Sequence, residues 1–336
     1  LLGNSNWPGL SVDDQNVYIS LGQYVHAVDV ETGKEVCRFP QEPERGVNFF
    51  APPTPIEENL VIVGDFNGTL YAFDSSNGCQ EVWRQEISDD YIVGGPVVFD
   101  ETVLVPSADG TLYALEFDSN SAHLLWKFES GSALWASPLI SGGVIYQSSM
   151  DHHVYAINQQ NGTLVWEEDL GAAVLDTPTE TDDMILVGTF GNRLVALDKD
   201  RGTVIWSFDT EAWVYGNPLV LDGVAYFGDV DGNMYSVNIN SGREVRASEK
   251  LDGGITASPV ATDDRIFFLT EAGTLYAWKS ADFTRDGKPS LGGGLYLDPV
   301  IQNGIIYISV ISEDEPLQAL NADTSVQIWP FKPADE

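Results

Sequence analysis

The chain has 336 residues, with 51 Asp and Glu against 16 Lys and Arg, giving a formal net charge of −35. Hydrophobic residues make up 43% and aromatic residues 11%, enough to bury a sizeable core, which excludes a disordered acidic tail. The carboxylate excess repels phosphate backbones and anionic headgroups, so neither nucleic acid nor an anionic membrane surface is an expected partner. No apolar run approaches the roughly 20 residues that span a bilayer. Leu1-Leu2-Gly3-Asn4 lacks the charged and apolar regions of a signal peptide, and the sequence reads as a mature, soluble segment.

Taken in chain order, the predicted elements repeat. The segment Val25-His26-Ala27-Val28-Asp29 recurs with its small central residue at Ala72, Ala114, Ala156, Ala196, Ser236, Ala277 and Ala319, at spacings of 45, 42, 42, 40, 40, 41 and 42 residues. Eight units account for essentially the whole of residues 1–336 as one domain and leave no room for a second. Within a unit, short runs rich in β-branched and aromatic residues alternate with Gly, Asn and Asp clusters. Ser137-Pro138-Leu139-Ile140, Val144-Ile145-Tyr146-Gln147, Val154 to Ile157 and Thr163-Leu164-Val165-Trp166 are four such runs, and no window has a sustained helical period. Four strands per unit of about 40 residues predict an all-β, eight-bladed β-propeller of four-stranded antiparallel blades. A β-solenoid would have shorter repeats without four distinct strand and turn types. The first inner strand is expected near Trp7-Pro8 and the last outer strand at 326–329, so no strand exchange across the chain ends is evident.

From the small residue the pattern continues through Asp or Asn to Gly and then Trp, as in Ala196, Asp198, Gly202 and Trp206, or Ala156, Asn158, Gly162 and Trp166. Ala72, Asp74, Gly78 and Trp83 repeat it with one inserted residue. This resembles the tryptophan-docking motif of the PQQ-like repeat propellers, over the entire chain. The resemblance implies that each indole is held between its own Ala and the Gly peptide of the next unit. Trp83, Trp126, Trp166, Trp206 and Trp329 are the docking residues on that basis, with Trp329 reaching Gly33 if the ring closes. Two units carry Cys37 and Arg246 instead, and the unit around Ala277 reads as having lost the turn. Cys37 would dock against Gly78, which is followed by Cys79, the only other cysteine, so the resemblance implies a Cys37–Cys79 disulfide between the first two units. Such a bond implies an oxidising, extracytoplasmic compartment, periplasmic, lipid-anchored or at the cell surface.

The inner strand of most units opens at a proline: Pro53, Pro96, Pro138, Pro178, Pro218, Pro259 and Pro299. In a propeller the loop entering that strand shares a face with the turn between the second and third strands, which predicts a ring at the channel mouth. Phe50, Val93, Trp135, Leu175, Tyr215, Thr256 and Tyr296 stand three residues before their prolines, with Phe49, Tyr91 and Trp213 nearby. The turns on the same face carry Asp65, Asp109, Asp151, Asp229, Asp231 and Glu271. One reading is an aromatic mouth with an acidic rim that docks a protein, peptide or glycan through Phe50, Tyr91, Trp135, Trp213, Tyr215, Tyr296, Asp65, Asp109, Asp151 and Asp229. The other is packing between inner strands and ordinary solvated hairpin turns. Asp229, Asp231 and Asn233 match the opening of a calcium loop, but Asn240 stands where its bidentate Glu belongs, and no histidine or cysteine has a zinc spacing, so no metal site is expected.

The family includes pyrroloquinoline quinone dehydrogenases, which carry an adjacent Cys-Cys pair and clustered calcium ligands that cannot be matched here, and no CxxCH haem motif occurs. The short loops resemble instead the BamB-like scaffold propellers, which implies no catalytic residues, no cofactor, a protein or peptide partner, and one copy within a larger assembly. A quinoprotein dehydrogenase is the first alternative and a sensor or cell-surface ligand-binding module the second. The acidic surface suits either a high-salt medium, where screening relieves self-repulsion, or an acidic secreted protein of ordinary habitat.

Overall fold

Each unit folds as a four-stranded antiparallel meander, and the computed structural model, which describes residues 9–56, 59–312 and 314–334, arranges the eight sheets as blades of a ring. The blades span 10–39, 54–86, 97–129, 139–169, 179–209, 219–250, 260–287 and 300–331. In the fourth, the strands run Leu139–Ser141, Val144–Ser148, His153–Asn158 and Leu164–Asp169 from the axis outward. The innermost strand of the first blade is Leu10–Val12, and the expectation at Trp7-Pro8 lies outside the described residues. The first blade is built from 10–39 and the last from 300–331, so among the described residues no strand is exchanged across the closure.

The middle two strands of every blade are covered on both faces, which is why they read as continuous apolar runs instead of strict alternations. Leu186, Leu194 and Ala196 of the fifth blade face the sixth and share a cluster with Ala225, Phe227 and Val237. Ile185, Val187, Val195 and Leu197 face the fourth and pack on Tyr146, Val154 and Trp166. The core is thus divided into eight wedges, one between each pair of neighbouring blades. The wedge that closes the ring joins Leu10, Val17, Ile19 and Val28 to Tyr307, Leu317, Ala319, Trp329 and Phe331.

Each outermost strand carries a bulge one residue before the docking position. Ala156 pairs with Trp166 but Ile157 pairs with Leu164, leaving Val165 unmatched, and the same shift follows Ala27, Ala72, Ala114, Ala196, Ser236, Ala277 and Ala319. The bulge twists the exposed edge and spoils it as a template for strand addition.

The docking residue of each blade lies opposite the small residue of its own third strand, and in four wedges it is an indole that meets a glycine of the next blade's turn, while Trp83 reaches the glycine-free turn of the third blade through the Asp118 carbonyl. A Cβ on Gly33 would come within 2.6 Å of the Trp329 ring, at a φ of +68° that itself favours glycine, and Gly162, Gly202 and Gly242 meet Trp126, Trp166 and Trp206 in the same way. The indole N–H of Trp166 donates to the carbonyl of Lys199, that of Trp206 to Ile239, and that of Trp329 to Val30, each the residue after the Asx of the next blade's turn.

The departures from this pattern are compensated in pairs. The turn after Ala277 is retained, contrary to the reading that it is lost: Phe283 N–H donates to Lys279 at 2.9 Å, and Phe283 occupies the glycine position with a φ of +57°. Arg246, which stands where the indole would, places its guanidinium over the Phe283 ring, so a cation–aromatic contact takes the place of the indole–glycine one across that wedge. Between the seventh and eighth blades the docking position is Gly287, opposite Ala277, and the vacated space takes the guanidinium of Arg265 from the second strand. Arg265 Nη1 donates to the Ala322 carbonyl at 2.7 Å, the equivalent of the carbonyls that the indoles reach.

Between the first and second blades the missing indole is replaced by the Cys37–Cys79 disulfide, with a Cα separation of 5.6 Å. Its 42-residue loop corresponds to roughly 4 kcal/mol in the chain-entropy account. We therefore expect reduction, or a Cys37→Ser/Cys79→Ser variant, to lower the thermal midpoint by several degrees. An unchanged midpoint in reductant would show that the aromatic packing of Phe39 on Phe73 holds this wedge unaided.

Candidate functional site

The loops that enter the innermost strands are tied to the ring by a repeated pair of backbone hydrogen bonds. Five residues before each proline, a carbonyl accepts from the second-to-third-strand turn of the same blade, as in Phe66 to Asn48, Ala108 to Tyr91, Phe190 to Ala173 and Val230 to Trp213. One residue later, the amide donates to the turn of the preceding blade, as in Ile92 to Asp65, Leu134 to Ser107 and Val214 to Thr189. The side chains at that second position, Phe49, Ile92, Leu134, Val174, Val214, Ile255 and Leu295, are buried in the wedges. Extended backbone then sends the next side chain the opposite way, into the channel. The channel-facing and the wedge-packing roles thus fall to adjacent positions.

Phe50, Val93, Trp135, Leu175, Tyr215, Thr256 and Tyr296 line a channel cavity of about 620 Å³, together with Tyr91 and Phe66. Two aromatic clusters stand at its mouth. Phe66 stacks on Tyr91 at 4.0 Å and meets Phe50 edge-on at 4.7 Å. Phe190 stacks on Trp213 at 4.6 Å and leans on Tyr215 at 5.8 Å. Tyr91 is 41% and Trp213 49% exposed, although both are large aromatic surfaces. Sequence reasoning missed Phe66 and Phe190 as members of the mouth. They occupy the same position in two turns, directly after Asp65 and Thr189, and that shared register was the available signal.

The acidic rim is corrected in part by the structure. Asp65 and Asp229 are fully buried and Asp151 is half-buried, while Asp109 and Asp231 are exposed, and the carboxylates of Asp65, Asp109, Asp151 and Asp229 are each engaged by their own turn and by a third-strand tyrosine. Asp65 accepts from the Thr69 amide and the Tyr71 hydroxyl, and Asp109 from Thr111 and Tyr113. Asp151 accepts from His153 and Tyr155, and Asp229 from Asn233 and Tyr235. Burial alone would raise the Asp109 and Asp151 carboxyls, but the tyrosine hydroxyl and backbone N–H bonds outweigh it and hold both below the usual range. The calcium-like Asp229, Asp231 and Asn233 serve the same turn, since Asp229 Oδ1 accepts from the amides of both other residues.

A second acidic feature lies deeper, where the residues adjoining the prolines converge. Asp176 and Asp298 both line the cavity and both contact Ser258, whose hydroxyl lies 2.9 Å from Asp298 Oδ2 and 3.5 Å from Asp176 Oδ2. The Ser258 amide donates to Asp298 Oδ1 at 2.6 Å, the Thr177 amide to Asp176 Oδ1 at 2.7 Å, and the Asn217 amide to the Ser258 hydroxyl at 2.8 Å. Enclosure by the channel wall, together with the neighbouring Asp298 charge, pushes the Asp176 carboxyl well above the usual carboxylate range, and enclosure pushes Asp298 up as well. Burial and the two carboxylates push the Tyr215 hydroxyl up to about 12. Among the described residues no Lys or Arg lines the cavity, so a tricarboxylate such as pyrroloquinoline quinone would meet like charge without a basic partner, and the residues present do not fit it.

Comparison with known proteins places this architecture. The family model described as outer membrane protein assembly factor BamB matches residues 21–134, 79–179 and 151–245. The chain belongs to this BamB family of PQQ-like repeat propellers. Among solved structures, BamB from Moraxella catarrhalis is similar with a TM-score of 0.76 and 14% identity over 90% of this chain and 93% of that one. The computationally designed Ika8 protein is similar with a TM-score of 0.78 and 16% identity over 98% of both chains. At these identities the two structures establish the fold that this BamB-family chain shares with them. No curated protein matches the chain. Family membership supports a scaffold or protein-binding role at family level. Among the described residues of this BamB-family propeller, no helix is long and apolar enough to cross a membrane.

Proposed function

We propose that this BamB-family propeller is a non-enzymatic extracytoplasmic scaffold that docks a segment of a protein partner on its channel mouth, as one copy within a larger assembly. The observation that carries this reading is the pair of aromatic clusters, Phe50/Phe66/Tyr91 and Phe190/Trp213/Tyr215, held on a rigid ring with Tyr91 and Trp213 exposed. Stacked aromatic side chains lose little entropy on binding and supply large contact areas, which is what interface anchors require. The disulfide fits an oxidising compartment, and the family description, an assembly factor, fits a partner-holding role.

Photocrosslinking tests the surface. A crosslinker in place of Tyr91 or Trp213 is expected to capture a partner, while one at Val165 on the outer rim is not. With that partner purified, Tyr91→Ala and Trp213→Ala should each weaken binding by about 2 kcal/mol, roughly thirty-fold, with the thermal midpoint unchanged. Capture from Val165 alone, or full affinity in both variants, would move docking away from the mouth.

A further inference from the structure

We propose that the channel floor of this propeller is a binding site for an organic ammonium cation carrying a short apolar body, a small-molecule site that does not depend on a partner docking at the mouth. The first ground is a donor count. Asp176 and Asp298 present four carboxylate oxygens at the floor, and among the described residues the nearby protein donors are the amides of Thr177, Asn217 and Ser258 and a single Ser258 hydroxyl proton. That hydroxyl donates to Asp298 at 2.9 Å and stands 3.5 Å from Asp176 Oδ2, and the Asn217 amide is shared between Asp176 and the Ser258 hydroxyl, so four donor protons serve four carboxylate oxygens and a hydroxyl oxygen. The floor is therefore rich in acceptors and poor in donors, and an ammonium group brings up to three.

The second ground is charge. Two carboxylates that share one hydroxyl repel each other when both are ionised, and among the described residues lining the cavity there is no Lys, Arg or His to offset them. The raised Asp176 and Asp298 carboxyls are what such a pair shows when it must hold a proton instead. A cation entering the floor replaces that proton and restores both charges. The acidic surface of the chain, at −35 overall, concentrates cations at the mouth.

The third ground is the wall, which separates an organic cation from a metal ion. Above the carboxylates stand Trp135, Tyr215 and Tyr296, with Phe50 and Tyr91 toward the mouth, and the volume of about 620 Å³ is that of a small-molecule pocket. Aromatic faces attract an ammonium and cover its apolar body. Calcium would need six or more oxygens, and no group of three acidic, His or Cys side chains able to hold a metal occurs among the described residues.

The test is calorimetric titration with 2-phenylethylammonium in 0.5 M KCl, which screens loose association with the acidic surface, alongside 2-phenylethanol as the neutral counterpart. The expected result is saturable binding of one equivalent, at least ten-fold tighter than the alcohol. Asp176→Asn and Asp298→Asn, each checked for an unchanged circular dichroism spectrum, should each weaken the ammonium at least ten-fold and leave the alcohol unaffected. Should either variant fail to fold, the ammonium-to-alcohol ratio in the native protein still decides. No saturable binding, equal binding of the two probes, or full ammonium affinity in the folded variants would overturn the proposal. None of these outcomes bears on partner capture from Tyr91 or Trp213.

Discussion

Replacing Arg265 by methionine is expected to cost about 3 kcal/mol or more, the scale found when one partner of a buried ion pair is removed. Arg265 is 6% exposed and makes bonds in three directions: Nε to Asp286 at 2.8 Å, Nη1 to the Ala322 carbonyl at 2.7 Å, and Nη1 to Ser325 at 3.1 Å. Its removal leaves the Asp286 carboxylate and the Ala322 carbonyl without their donor in the wedge between the seventh and eighth blades. Asp286 is 34% exposed and can recover some hydration, which puts the expected cost at the lower end. The bulge position that Asp286 occupies is filled in other blades by apolar residues such as Val82, Val165 and Ile205, so Arg265→Met/Asp286→Val should recover a large part of the loss. Thermal midpoints of the two variants, compared with the parent, check both statements. A double variant no more stable than the single one would show that the Ala322 and Ser325 bonds, not the ion pair, hold this wedge.

Arg265 also shows where the sequence stops being legible. The period of the small residue specifies eight blades because each repeat must bury both faces of its middle strands, and the Trp and Gly spacing specifies most wedges because the two residues are complementary in shape. Arg265 belongs to neither signal. It sits in a second strand, 21 residues from Asp286 and 57 from Ala322, and only the closed ring brings the three together. Phe283 was hidden for a different reason: a left-handed turn position is ordinarily announced by Gly or Asn, and a phenylalanine there reads as a broken turn until its ring is seen beneath Arg246. At the mouth, the proline offset correctly picked the channel-facing residues, because the alternation of an extended strand carries one side chain inward for each one packed. The acidic turn residues misled, since an Asp in a hairpin turn reads as solvated while Asp65 and Asp229 are drawn under the turn by Tyr71 and Tyr235. Asp176 and Asp298 left no trace, being 122 residues apart with nothing but the ring geometry to pair them.

The same geometry makes the closing wedge unlike the other seven. Trp329→Ala is expected to cost about 3–5 kcal/mol, from an indole only 6% exposed that also loses its bond to the Val30 carbonyl at 3.0 Å. Trp166→Ala removes a side chain of similar burial and a similar bond, to Lys199 at 3.1 Å, and should cost a similar amount. The consequences differ because the fourth and fifth blades are joined by a short stretch of chain. That connection keeps their faces at high effective concentration and returns them to contact after each opening. Among the described residues no such stretch joins the eighth and first blades, and their core contact is the wedge around Trp329, Phe331, Ile19 and Val28. Hydrogen exchange should therefore quicken in Trp329→Ala across both blades 10–39 and 300–331, whereas in Trp166→Ala it should stay near the mutated wedge. Gly33→Ala, which drives a methyl into the same indole, should reproduce the Trp329→Ala pattern from the opposite side. If the two tryptophan variants exchange alike, the ring behaves as one cooperative unit whose closure is no weaker than its chain-linked wedges.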